Sequence, residues 1–552
     1  MAENAESPFP EYLPTVPELL RAGTSRFGSA DAVIDPVERL SYADLDRRSL
    51  ALAARLVEAG ARKGSHVGIL FPNNWAWVVA WAAAARIGAV VVPVNTFYRT
   101  PELARFLRHA DVHFLLGVDR FIQHDYLERL ETIAPELAQS RGPELRLPTL
   151  PQLRRILLWG ESPVPWATGG LGTGLDDDVD PDLAAVVASL GEDVVPADPM
   201  LITYTSGSTG EPKGVVHGHG GVIRHSNNLA RLSGIDGSAR LWTPMPLCWV
   251  GGFAFTLLRA LVSGAAFITQ EVMDPVVALD LIEKERVTHV SAWPAVSKTL
   301  REHPSFGERD LSAIRGGSFP DALPPERRPL DPTLTVGSLG MSETCGPHTF
   351  WTPELETSGA PEEYRGTFGL PVPGVEHRIV DPVTGQDMPP GQEGEVLVRG
   401  YSLMLGMYRR ERAEVFDADG WYHTGDRGLF RDGWFFFTGR QSDLIKTSGS
   451  NVAPIEVESC LLALEEVKLA FVLGVPHPDR GEDVVALVVP NPLSGTELDP
   501  EALRTKLREQ LSSFKVPRHF ITVGDADIPW LTSQKADRRA LTALAEKLAT
   551  DR

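Results

Sequence analysis

Cysteine is scarce. There are three in 552 residues, Cys248, Cys345 and Cys460, far apart and odd in number. That excludes a disulfide framework or a cysteine-rich zinc site and fits a reducing compartment, the cytoplasm. Basic residues are outnumbered, 53 Lys and Arg against 73 Asp and Glu, for a formal net charge of -20. So acidic a chain is a poor partner for nucleic acid or an anionic membrane, and an anionic substrate has to be drawn by a local positive site. Long apolar runs are missing too. Residues 75–94 come nearest, but Arg86 and Gly88 interrupt them, and they read as a buried helix and a strand rather than a membrane span. The acidic, proline-containing start, MAENAESPFPE, has no secretory apolar core.

What is present is an ordinary globular composition, 43% hydrophobic and 23% charged, in a chain too long for one core. Short apolar strands (67–71, 89–94, 114–118) alternate with helical stretches (16–27, 41–59, 75–87, 103–110), the pattern of α/β units on a mostly parallel sheet. Residues 138–198, rich in Pro, Gly and acid, read as a surface excursion around one strand at 156–158. A helix over 254–264 and a strand over 265–269 follow. After about residue 366 short strands (375–380, 394–399, 434–438) joined by Gly, Pro and Asp turns predict an antiparallel piece. A break near Ser442 precedes a return to helix and strand.

Residues 204–217, YTSGSTGEPKGVVH, organise the chain. Four hydroxyl side chains (Thr205, Ser206, Ser208, Thr209) and three glycines (Gly207, Gly210, Gly214) surround Lys213. Strand, hydroxyl- and glycine-rich loop, strand is the local reading. Such a loop offers N–H groups and hydroxyls to phosphate oxygens, with the lysine as a point charge. It is not a Walker loop, because Gly rather than Ser or Thr follows Lys213, and it lacks G-x-G-x-x-G spacing. By composition alone a flexible surface loop is an equal reading.

Its companions decide. Ser338-Leu-Gly-Met-Ser-Glu-Thr344, Gly420-Trp-Tyr-His-Thr-Gly-Asp426, Gly439-Arg-Gln-Ser-Asp-Leu-Ile-Lys446-Thr-Ser-Gly449 and Pro529-Trp-Leu-Thr-Ser-Gln-Lys535 follow in order. Together they resemble the adenylate-forming superfamily, in its acyl-CoA synthetase branch, over about residues 15–545. The resemblance implies an α/β fold with a large N-terminal domain (1–441) of layered α/β subdomains plus a small barrel-like piece. A small, mobile α+β C-terminal domain (442–552) hinges at Ser442. It implies ATP-dependent activation of a carboxylic acid to an acyl-adenylate, then thioester formation with CoA. The alternatives are delivery to an acyl carrier protein or an amine, or a homologue keeping one half-reaction. A monomer or homodimer is expected.

By the same resemblance, the residues from Thr205 through Gly210 and Lys213 hold the phosphates of ATP, and Glu343 with Thr205 would ligate Mg2+. Asp426 binds the ribose, and Arg440 the ribose or a phosphate. Gly317, Ser318, Leu339, Ser342 and Thr344 complete the ATP site. Lys535 is the catalytic lysine of adenylation. Lys446, Ser448 and Gly449 serve the thioester step and the CoA tunnel. Trp249, Gly251, Phe253, Trp293, Gly316, Gly340 and Met341 line an acyl pocket for a medium- or long-chain fatty acid, or else an aromatic or polycyclic one. The chain departs from the family pattern at Leu339, usually an aromatic stacked on adenine, at Trp249, usually His, at Gln534, usually Gly, and at Trp530, usually basic.

Overall fold

The helix Trp75–Arg86 is shielded from solvent at every position from 76 to 85. Ala and Val at most positions keep it slim enough to lie between sheets, and it touches strands of two of them. Asn74 caps it, its side chain accepting the Trp77 N–H at 3.0 Å. The computed structural model describes residues 10–550 except 207–211, 320–321, 324–327, 329–333, 335, 441–444, 453, 493, 495–497 and 530–535.

One sheet of seven strands runs, edge to edge, Gly406–Met407, Pro212–Gly218, Pro199–Ser206, Val90–Pro93, His66–Leu70, Phe114–Gly117, Arg155–Leu158. It is parallel from Pro199–Ser206 onward, and Pro212–Gly218 turns back as a hairpin. A second, of six, runs Gly316–Gly317, His289–Val290, Arg240–Trp242, Ala266–Ile268, Asp31–Ile34, Arg39–Ser41, parallel except at its last strand. Carboxyl ends of both sheets reach one cavity, whose lining includes Asn95, Thr205, Met245 and Trp293, the usual place for a ligand in such sheets.

Val375–Val380, Gly394–Gly400, Tyr422–Arg431 and Trp434–Arg440 form the antiparallel piece. Beside it lies the three-stranded sheet of Leu339–Met341, Gly346–Phe350 and Leu370–Pro371, the two sharing a core of Leu339, Phe350, Val396 and Phe435. A new sheet begins at Ile445. Gly481–Pro490 pairs with Val467–His477 and His519–Thr522, the hairpin Ile445–Thr447/Ser450–Val452 joins it, and two apolar clusters separate from the rest pack its faces. This is the expected α/β architecture; Ser442 itself lies outside the described residues.

Two expectations change. The excursion at 138–198 contains a helix, Pro181–Glu192, capped by Asp180, besides its strand. The helix expected from 254 starts as a π turn, Phe253–Leu258, before Arg259–Ser263. No described helix is long and apolar enough to cross a membrane.

Candidate active site

The hairpin places Lys213 directly opposite Thr205 and Gly214 opposite Tyr204. Its root is anchored: Tyr204 packs on Phe106 at 4.7 Å between ring centres, and its hydroxyl meets His109 Nδ1 at 2.8 Å. A Cβ on Gly214 would come within 3.1 Å of Ile202, Tyr408 and Tyr204, so only glycine fits there. Gly207, Ser208, Thr209 and Gly210 lie outside the described residues, and Ser206 closes the first strand.

From the same hairpin His217 donates its Nε2–H to the Ser342 carbonyl at 2.6 Å. Burial pushes this ring down to about 4, so it is neutral. The strand carrying Lys213 is thereby tied to the turn carrying Glu343. That turn, Ser342–Thr344, is tight. A Cβ on Gly340 would lie 2.6 Å from the Gly346 backbone. Glu343 is half-buried, and its Oε1 accepts the Tyr422 hydroxyl at 3.2 Å. Asp426 is buried on Tyr422–Arg431, opposite Arg440 on the next strand.

The cavity, of about 640 Å³, runs from Thr205, Ser338 and Ser342 to an apolar chamber at Trp249, Gly251, Phe255, Gly340, Met341 and Gly346. Trp249 packs on Trp293 at 5.7 Å between ring centres. The C-terminal hairpin enters from the other side, with Lys446 and Gly449 lining the same space. Lys446 Nζ stands 5.3 Å over the Phe437 ring. Ser448 and Gly449 turn the hairpin with φ of 49° and 78°. Gly316 and Gly317 form the edge strand of the six-stranded sheet and, against expectation, do not line the cavity. There the Gly317 N–H donates at 2.9 Å to Glu356, whose carboxyl is raised by burial.

Several expected residues point elsewhere. Phe253 is buried against Trp77 and Trp81, while Phe255 lines the chamber. Two positions apart on a helical turn, the two rings face opposite ways, so Phe255 turns to the chamber where Phe253 turns to the core. Leu339 faces the barrel core rather than the cavity. Thr344 is fully buried, its hydroxyl bonded to the Gly346 carbonyl at 2.7 Å, and it holds the turn. The Ser318 hydroxyl accepts the Ala292 N–H at 2.6 Å and so braces the strand end. Lys535 lies outside the described residues. Sequence reading missed Phe255, His217, Glu356 and, from the C-terminal domain, Phe514, which meets Trp249 at 6.3 Å. Only Phe255 carried a signal, as a second phenylalanine two positions on.

Residues 20–408 match the family model of AMP-binding enzymes, and 456–535 that of their C-terminal domain. The chain is 32% identical to a feruloyl-CoA synthase of Amycolatopsis sp, over 87% of this chain and 89% of that one. It is 29% identical to the mitochondrial medium-chain acyl-CoA ligase ACSF2 of Mus musculus, over 92% and 84%. Its fold superposes on the amide bond synthetase McbA of Marinactinospora thermotolerans with a TM-score of 0.76, at 26% identity, covering 95% of this chain and 99% of that one. The chain belongs to the AMP-binding enzymes, the adenylate-forming superfamily, in its branch of AMP-forming acid:CoA ligases, the acyl-CoA synthetases.

Proposed function

We propose that this enzyme activates a hydrophobic carboxylic acid with ATP and passes the acyl group to CoA, with a medium- or long-chain fatty acid as its best substrate and a bulky aromatic acid next. The carrying observation is the single cavity that joins Thr205 and Ser342 to the apolar chamber of Trp249, Phe255 and Met341 and to Lys446 and Gly449. A carboxylate cannot expel oxide. Attack on the α-phosphate of ATP instead gives an acyl-adenylate and pyrophosphate, and a thiol then displaces AMP. Both steps shift anionic charge, so positioned cations and N–H groups carry the catalysis.

In this reading the residues from Thr205 through Gly210, with Lys213, hold the β- and γ-phosphates. Asp426 accepts hydrogen bonds from the ribose, with Arg440 beside it. Lys535 neutralises charge between the carboxylate and the α-phosphate. Ser342 and the backbone of 316–318 flank the nucleotide. The acyl chain lies among Trp249, Gly251, Phe255, Trp293, Gly340 and Met341, and the thiol arrives past Lys446, Ser448 and Gly449. Among the described residues no group of three or more His, Cys, Asp or Glu could hold a metal unaided. One half-buried carboxylate, Glu343, with the Thr205 hydroxyl suits Mg2+, which keeps phosphate and water oxygens as its other ligands. The ion would supply charge neutralisation at the phosphates. The domains proposed are 1–441 and 442–552, at work in the cytoplasm.

A second reading, transfer to an amine or an acyl carrier protein, draws on the amide bond synthetase among the structural neighbours. The test of the mechanism is Lys535→Ala. Acid-dependent ATP–pyrophosphate exchange should fall by about a hundredfold or more, while thioester formation from supplied acyl-adenylate persists. Unchanged exchange would remove Lys535 from the chemistry. Offering CoA, a holo-carrier and an amine together ranks the acceptors.

A further inference from the structure

Glu102 and Lys515 lie on different domains, are almost fully buried, and meet at 2.9 Å. Glu102 is third in the helix Thr100–His109, and its Oε2 accepts the Arg99 N–H at 2.9 Å. The same oxygen accepts the Ser512 hydroxyl at 2.8 Å, and Oε1 takes the Lys515 ammonium. Lys515 also holds Glu456 at 3.0 Å, a partner on its own domain, and Arg105 approaches Glu456 across the interface at 3.7 Å. Two carboxylates face two cations, so the cluster is neutral within a strongly acidic chain. Burial alone would push Lys515 down; the carboxylates outweigh it and hold the ammonium above the usual lysine range.

In this arrangement, removing one partner by substitution leaves the other charge buried without its counter-ion, which is strongly unfavourable. Lys515 keeps Glu456 wherever its domain goes. Glu102 keeps only its helix cap, and its bonds to Lys515 and Ser512 exist in this arrangement alone. Next along the chain Phe514 packs on Trp249 at the cavity, so the cluster stands beside the point where the C-terminal hairpin enters the site.

We propose that Glu102, Ser512, Lys515 and Glu456 form an ionic clasp between the domains that holds the thioester-forming arrangement, with Glu102 and Lys515 as positioning residues for that step. This rests on the proposed two-step function. Another arrangement for adenylation would leave the clasp open, so the two half-reactions should respond differently.

The test uses the full chain with Glu102→Gln, which keeps the shape, Lys515→Met, and the conservative Lys515→Arg. Both disruptive variants should slow single-turnover CoA acylation by about tenfold or more and leave acid-dependent ATP–pyrophosphate exchange within about twofold. Lys515→Arg should recover most of the rate. Independently of activity, amide hydrogen exchange without ligands should quicken at 445–452, distant in sequence from both substitutions, and stay unchanged in the helix Trp75–Arg86. Equal loss of both half-reactions, or unchanged protection at 445–452 in both variants, overturns the clasp. If the wild-type chain acylates something other than CoA, only the functional reading falls, and the exchange pattern still decides the clasp.

Discussion

Gly449 approaches Trp293 so closely that a Cβ added to it would lie 2.2 Å from the indole Nε1. Its φ of 78° is also one that L side chains rarely adopt. The C-terminal hairpin can enter the cavity only because this residue has no side chain. Gly449→Ala should therefore cut the rate of thioester formation by about a hundredfold and spare acid-dependent pyrophosphate exchange. Rapid-quench measurement of each half-reaction checks this, and equal losses would contradict it.

Phe253 and Phe255 sit two residues apart and face different surroundings. Phe253→Ala opens a hole against Trp77 and Trp81 and should lower stability by about 3–5 kcal/mol. Phe255→Ala should change stability less and raise KM for the acid, most for short substrates that cannot fill the enlarged chamber. Denaturant melts beside KM values for acids of graded length separate the two roles.

Acid should destabilise the fold before most carboxylates titrate. Burial pushes His217, His225 and His377 from 6.5 down to about 4. The unfolded chain thus binds protons that the folded one refuses. Their stabilisation is complete above about pH 6.5 and is lost as the pH falls toward 4. Tm should drop steadily between pH 6.5 and 5, with these three rings contributing up to three of the protons taken up on unfolding across the wider window, and His124 and His219, also lowered by burial, adding to them. A flat Tm in that range would show that these rings protonate in place.

Glu343→Gln preserves shape and removes the charge that the proposed mechanism offers to Mg2+. Its expected signature is a higher Mg2+ requirement and adenylation slowed by about a hundredfold, with little change in Tm because the Tyr422 hydroxyl keeps an acceptor. Titrating Mg2+ at saturating ATP reads this out. An unshifted Mg2+ dependence would place the ion elsewhere.

Local chemistry made much of this legible in the sequence. The apolar run at 75–87 reads as a buried helix, and the apolar flanks of the hydroxyl- and glycine-rich stretch read as strands, which pair as Pro199–Ser206 with Pro212–Gly218. The helix Pro181–Glu192 was hidden by the Pro, Gly and acid around it, although Asp180-Pro181 is a start signal. What the sequence withheld was direction. Leu339 and Thr344 lie within the motif yet turn into the core and the turn, and of two phenylalanines on one helical turn Phe255, not Phe253, faces the chamber. Side-chain facing depends on tertiary packing, and so does the meeting of Glu102 with Lys515, 413 residues apart.

The most direct measurement is AMP and thioester production across a panel of carboxylic acids, with ATP and Mg2+, with and without CoA. Acid-dependent pyrophosphate exchange is expected without CoA. Adding CoA should then give equal amounts of AMP and acyl-CoA, fastest with medium- or long-chain fatty acids. Exchange with no acid in the panel, or adenylate formed and never transferred to CoA, would contradict it.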